Sequence, residues 1–260
     1  MMTKTGRVWT TDEPWTVAMY PFLDGTTSWT GMTDAQWREV GAIFQTIHHM
    51  HLPTDERAKL LQETFEPDGY RQWVQTYEPH ILDPIWEANP HQQALHTTWI
   101  HHQLTIQDVL TALDRLGHDL RSRVLSMGMC HADLHPANIL RPASGQVFII
   151  DWDEVMLAPK ERDFIFLATS TTDEDMPHHY PFFQGYGDIE IDWVALTYYR
   201  FERVIQDLIA CAQDVLFTPN AGEGVQTESV QLFDDILSEE GELTMALRTA
   251  ANIPAHLREH

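Results

Sequence analysis

Apolar and polar positions alternate in three distinct ways along the chain. Residues 6–11 and 15–20 are rich in β-branched and aromatic side chains, and Asp12-Glu13-Pro14 separates them. This spacing predicts a β-hairpin, which Pro21-Phe22-Leu23-Asp24-Gly25 then breaks. Thr33-Asp34-Ala35-Gln36 is a capping box with Thr33 as N-cap. Trp37, Val40, Ile43, Phe44 and Ile47 follow at helical spacing, so a helix is expected to about residue 50. A short helix is expected after Thr54. Asn89-Pro90 marks another start, with Pro at N1. The long helix behind it carries Leu95, Trp99, Leu104, Val109, Leu110 and Leu113.

Short strands are expected around 131–151. From 190 the pattern is helical again, with Trp193, Leu196, Tyr199, Phe201, Val204, Ile205 and Leu208 on one broad face. A loop is expected over 218–228, around Pro219, Gly222 and Gly224, and a last helix over 229–250. There is no internal repeat and no low-complexity segment. The class is α+β: a mostly helical body with few strands.

Composition adds limits. Apolar residues make up 43%, ordinary for a globular protein. No apolar run approaches the roughly 18 residues of a membrane span. The first residues lead into no apolar h-region, so no secretory signal is expected. Two cysteines, Cys130 and Cys211, make no disulfide framework, and a reducing cytoplasm is the expected compartment.

Charge narrows the partners. The net is −23, and Lys4, Lys59 and Lys160 are the only lysines. Such a surface repels nucleic acid and anionic membranes. An acidic cleft would instead draw a cationic small molecule; acidity also serves solubility.

The chemistry concentrates in 131–163. His131-Ala132-Asp133-Leu134-His135-Pro136-Ala137-Asn138 is followed by Ile139-Leu140-Arg141, the turn Pro142-Ala143-Ser144-Gly145, and Gln146 to Ile150. Turn residues between apolar runs predict a hairpin. An antiparallel hairpin brings Asn138 and Asp151 together at its open end. An amide oxygen with a carboxylate is a hard, incomplete ligand set that suits Mg²⁺ and phosphates. Asp153, two residues on, is a further metal candidate. Asp133 is placed to accept a hydrogen bond from an incoming hydroxyl. His131 joins the catalytic set, better placed to brace the loop than to do chemistry. A transition-metal reading of His131, Asp133 and His135 lacks a cysteine or a third spaced His. Taken singly, each of these polar loop residues reads as a cap or turn former.

Jointly, the segment resembles the aminoglycoside phosphotransferase and choline kinase superfamily, which has a protein-kinase-like fold. The resemblance implies Asp133 as catalytic base, Asn138 and Asp151 as Mg²⁺ ligands, and ATP or GTP as donor. Ile150-Asp151-Trp152-Asp153 matches the family's metal motif. Pro159-Lys160-Glu161-Arg162-Asp163 is similar to the next family segment, in which Asp163 would brace the catalytic loop. Val17 to Gly25 resembles the last N-lobe strand and the hinge. Met19 would then be the gatekeeper, and the Tyr20 carbonyl and Phe22 N–H would meet the nucleobase, with Pro21 on the residue that needs no N–H. Gly185-Tyr186-Gly187 and Ala195 to Asp207 look like the spectinomycin-phosphotransferase branch.

The resemblance also implies parts that are not found. The family's N-lobe supplies a phosphate-covering loop, a strand Lys and a helix Glu. Lys4 precedes Met19 by only 15 positions, and no G-x-G-x-x-G occurs. Residues 1–23 are therefore expected to be a remnant N-lobe hairpin and hinge, and 24–260 the helical C-lobe. The chain is then a truncated product, a partner of another chain, or a pseudoenzyme. Turnover by this chain alone is expected to fall below the roughly 1–100 s⁻¹ of kinases.

The expected function is phosphorylation of a hydroxyl on a small, cationic antibiotic or metabolite. The alternative is a non-catalytic pseudokinase-like protein that binds a ligand. Asp173, Glu174 and Asp175 are candidates to meet a cationic acceptor. An apolar N-lobe docking surface, with Trp9 and Trp15, is a candidate for self-association.

Overall fold

A computed structural model describes residues 9–12, 15–83, 89–167, 179–218 and 223–258. Strands β1 (Trp9–Asp12) and β2 (Trp15–Ala18) form an antiparallel hairpin with Trp9 opposite Ala18. It is a sheet of its own. Helix α1 (Asp34–His48) starts at the expected capping box: Thr33 Oγ1 accepts from Gln36 N at 3.3 Å, and Gln36 Oε1 accepts from Thr33 N at 3.0 Å. Helix α2 (Thr54–Arg57) and strand β3 (Leu61–Gln62) follow.

Helix α3 (Asp68–Ile81) was not expected from the pattern. Pro79 in its last turn removes one backbone donor and hides the periodicity. Tyr70, Val74, Tyr77 and Ile81 nevertheless form its inward stripe, with Val74 and Ile81 fully buried. Helix α4 (Pro90–Arg121) begins where Asn89 and Pro90 predict. Asn89 Oδ1 accepts from His91 N at 2.9 Å and from Gln92 N at 3.3 Å, which satisfies orphan donors of the first turn.

Strands β4 (Gly128–Cys130), β5 (Ile139–Leu140), β6 (Phe148–Ile149) and β7 (Met156–Ala158) frame the motif region. β5 and β6 pair antiparallel, Ile139 opposite Ile149. β7 lies between β3, to which it is parallel, and β4, to which it is antiparallel.

The helical body closes with α5 (His179–Tyr186), α6 (Trp193–Phe217), α7 (Glu223–Leu237) and α8 (Glu242–Ala250). Two expectations change here. The loop expected over 218–228 is helical from Glu223, while Pro219 and Gly222 lie outside the described residues. The single final helix is two helices, because the chain turns back at Gly241, where a side chain would collide with the Asp235 and Ile236 carbonyls. α6 is the axis of the core. It is capped by Asp192 and buried on nearly every side over Val194–Glu202, against α3, α4, α7 and α8. Among the described residues, no helix is long and apolar enough to cross a membrane.

α1 and α5 touch through glycine. A Cβ on Gly185 would strike the Arg38 carbonyl, and one on Gly41 would strike the Phe182 carbonyl. Gly185→Ala is expected to lower stability by roughly 1–3 kcal/mol through overpacking. Gly224→Ala, on α7 with open space around it, is expected to be neutral or stabilising by up to about 1 kcal/mol. Urea denaturation of both variants checks the contrast; equal midpoints would refute it.

Candidate active site

β4 delivers the chain into the loop 131–138, and one turn of 3₁₀ helix at Pro136–Asn138 returns it to β5. His131 is fully buried. Its Nδ1 accepts from Asp133 N at 3.3 Å, so Nε2 carries the proton and donates to Ile150 O at 2.8 Å. The ring packs edge-on against Trp152, centroids 4.7 Å apart. Both ring nitrogens are thus taken by the protein itself. Of the two roles the sequence allows His131, chemistry or bracing, this buried ring with both nitrogens engaged suits bracing of the loop.

Ala132 is buried with φ +73°. Left-handed backbone costs a non-glycine residue about 1–2 kcal/mol. Asp163 holds it there. Asp163 Oδ1 accepts from Ala132 N at 2.7 Å, and Oδ2 accepts from His131 N at 3.0 Å. His48 Nε2 donates to the same Oδ2 at 2.8 Å, while His48 Nδ1 accepts from the Tyr186 hydroxyl at 2.8 Å. A fully buried carboxylate therefore takes three donors and ties α1 and α5 to the loop. A buried Arg162–Glu202 ion pair fixes the Asp163 segment to α6.

Asp133 is half-buried and surrounded by donors. Arg203 Nη1 donates to Oδ1 at 2.8 Å; Asn138 Nδ2 donates to Oδ2 at 3.1 Å; His135 Nε2 lies 3.3 Å from Oδ2. His135 Nδ1 accepts from Ala137 N, so Nε2 carries the proton. The His135 hydrogen bond, with Arg203 in support, holds the Asp133 carboxyl well below the usual carboxylate range despite its burial. A carboxylate has about four lone-pair positions. Three are used, which leaves one on Oδ1.

Asn138 is buried, and its amide group is oriented by two acceptors, Asp133 O at 2.9 Å and Asp133 Oδ2. With Nδ2 so engaged, Oδ1 is left for another partner. The hairpin brings the Asp151 segment alongside: Ile150 N donates to Asn138 O at 3.0 Å. Asp151 itself is exposed with φ +64°, a conformation Asp tolerates better than most residues. Asp153 is exposed two residues further on. Among the described residues neither carboxylate has a hydrogen bond or ion pair. Asn138 Oδ1 and the Asp151 carboxylate are hard oxygen donors of the kind Mg²⁺ takes. A second cluster, His48, Cys130 and Asp163, has its ligand atoms within 4.8 Å of one another. Burial pushes the Cys130 thiol up, and His48 and Asp163 are spent on each other and on the loop, so this cluster is structural.

Trp29 is missed by motif reading. It stacks on His135 with centroids 4.7 Å apart and meets Phe166 edge-on. Its segment is tied to the hairpin by the Thr26–Arg141 bridge and by Arg141 Nη1 donating to Thr30 O. Arg203 is missed too. Its signal was available: Arg203 and Asp207 are an i, i+4 ion pair on one helix. Met19, Tyr20 and Phe22, expected at the hinge, are exposed, at 43%, 82% and 91%. Asp173, Glu174 and Asp175 lie outside the described residues, as do Lys4 and the side chains of Trp9 and Trp15.

The sequence profile of the APH phosphotransferase enzyme family matches residues 7–199. The chain belongs to this family. Among solved structures, spectinomycin phosphotransferase APH(9)-Ia in complex with ADP and spectinomycin aligns with this chain at a TM-score of 0.82 and 26% identity. The match covers 96% of this chain and 76% of that one. The AMP-bound complex of the same enzyme aligns at 0.80 and 26% identity, covering 95% and 77%. An aminoglycoside phosphotransferase from Alicyclobacillus acidocaldarius shares the fold at 0.58 and 14% identity, covering 96% and 75%. A comparison with curated proteins found no match. The fold is the kinase-like one expected, with few strands.

Proposed function

We propose that this phosphotransferase-family chain transfers the γ-phosphoryl group of a nucleoside triphosphate, ATP or GTP, to a hydroxyl of a small cationic acceptor related to spectinomycin. The observation that carries this reading is Asp133, held as an anion by Arg203, His135 and Asn138 with one lone-pair direction left. Structures of a 26%-identical relative contain ADP with spectinomycin, and AMP. The net charge of −23 favours a cationic acceptor.

Asn138 and Asp151 are the residues that would hold Mg²⁺, with Asp153 beside them. Bound Mg²⁺ supplies neutralisation of charge on the phosphates. The chain's own residues do the rest. Asp133 accepts the hydrogen bond of the acceptor hydroxyl and aims its oxygen. As the new O–P bond forms and the bond to the leaving diphosphate breaks, the hydroxyl proton passes to Asp133. A carboxylate of such low basicity receives that proton late, which suits a loose transition state in which positioning matters more than proton abstraction. His131 and Asp163 keep the loop from yielding.

Incubation of the chain with ATP, Mg²⁺ and spectinomycin is expected to yield ADP and phosphorylated acceptor, detected by mass spectrometry, and EDTA is expected to abolish it. Calorimetry with Mg-ATP is expected to show binding. No Mg-nucleotide binding and no product would favour the non-catalytic reading.

A further inference from the structure

Among the described residues, one side chain from outside the loop reaches the candidate base. Arg203 sits on α6 with its guanidinium between two carboxylates. Nη1 donates to Asp133 Oδ1 at 2.8 Å, and Nε donates to Asp207 Oδ2 at 2.6 Å. Its face lies over the Phe166 ring, 5.4 Å from the centroid. Two edges and a face are engaged, so the planar fork has one orientation. The oxygens of Asp133 are divided between directions: Arg203 takes Oδ1, while His135 and Asn138 take Oδ2. Rotation of the carboxylate about its own bond would break contacts on both sides.

Stability alone does not account for this arrangement. Three carboxylates, Asp133 from the loop, Asp207 from α6 and Glu242 from α8, face two guanidinium groups, Arg203 and Arg200, in one partly buried patch. One Glu242 oxygen is buried with no hydrogen-bond partner. Burial, with Asp207 beside it, pushes Glu242 up to about 7. A third carboxylate placed here works against the fold. It lines a cavity of about 40 Å³ with Arg203, Arg200 and Phe166, large enough for water. The two hydrogen bonds hold Arg203 in two directions at once, toward Asp133 and toward Asp207.

We infer that Arg203 is a positioning residue for phosphoryl transfer: anchored by Asp207, it clamps Asp133 at the angle the acceptor hydroxyl requires. This rests on the phosphotransferase reading above. Arg203 contacts neither nucleotide-hinge residues nor Asp151, so its removal acts on the chemical step and not on nucleotide binding. A misplacement on the order of 1 Å can cost about 100-fold in rate.

The test is steady-state kinetics of the full chain with ATP, Mg²⁺ and spectinomycin, with thermal midpoints measured in parallel. Arg203→Met is expected to lower kcat by about 100-fold with KM for ATP unchanged. Arg203→Lys is expected to recover part of the loss, since a point charge cannot bridge both carboxylates. Asp207→Asn, which leaves Asp133 and Arg203 in place but weakens the anchor, is expected to lower kcat by about 10-fold. A folded Arg203→Met protein with the parent's kcat overturns the inference, and so does a loss carried by KM for ATP. If Arg203→Met does not fold, Asp207→Asn decides: parental kcat overturns it. A parent chain without turnover overturns the phosphotransferase reading and this one with it, whereas an active parent with unaffected variants overturns this one alone.

Discussion

Under the proposed phosphotransferase reading, Asp133→Asn is expected to lower kcat by about 10²–10⁴-fold, the usual worth of a positioned general base. The physical case is specific to this site. Three donors converge on the two Asp133 oxygens. An asparagine offers one oxygen and a donor NH₂. If the oxygen turns to Arg203, the NH₂ faces Asn138 Nδ2 and the His135 N–H, donor against donor. If it turns the other way, Arg203 meets an NH₂. The first orientation loses two contacts and the second loses one, and in neither does an anion remain to receive the hydroxyl proton. Asp133→Ala removes both functions and frees Arg203 to sit with Asp207 alone. Because Asp133 is only half-buried and contributes no core packing, both variants are expected to fold. Single-turnover measurement with ATP and spectinomycin separates the chemical step from release. Turnover by Asp133→Ala at the parental rate would remove Asp133 from the role of base.

Asp163→Ala is expected to have the second large effect, on the fold as well as on activity. The Asp163 carboxylate is fully buried and accepts from His131 N, Ala132 N and His48 Nε2. Its removal strands three buried donors, each costing about 1–3 kcal/mol when unsatisfied. It also releases Ala132 from φ +73°. A loss on the order of 3–5 kcal/mol is expected, the cost of breaking a buried ion pair. Tyr186 adds to the consequence, since His48 is shared between Tyr186 and Asp163. Asp163→Asn keeps one acceptor oxygen and is expected to fall between. Urea denaturation at constant m-value reads the loss, and a drop below about 1 kcal/mol for Asp163→Ala would show that the loop is held elsewhere.

Much of the architecture was legible because its signals are local. The Thr33 capping box, the Asn89-Pro90 start and the Pro142 to Gly145 turn satisfy backbone groups within a few residues. Such signals do not depend on what packs nearby. The misses had equally definite causes. The α3 stripe is interrupted by Pro79 and carried partly by tyrosines. The break between α7 and α8 depends on close contact of Gly241 with carbonyls of the preceding helix. His131 sits next to Asp133 in sequence, but its orientation is set by Ile150 and Trp152, which arrive from another strand.

By itself, the sequence determined the helices and hairpins that cap themselves, and the family motif that puts Asp133, Asn138 and Asp151 on one loop and one hairpin. Spacing along a strand or helix is fixed by backbone geometry, so these relations survive in any fold that contains those elements. Only the tertiary structure decided that Asp133 is clamped by Arg203, 70 residues away, and that Asp163, 32 residues from His131, holds Ala132 in a left-handed turn. Hydrogen bonds and ion pairs act over a few ångströms in space with no regard for distance along the chain. Which donors surround a carboxylate is therefore settled when α6, α8 and the 131–138 loop pack together, and not before.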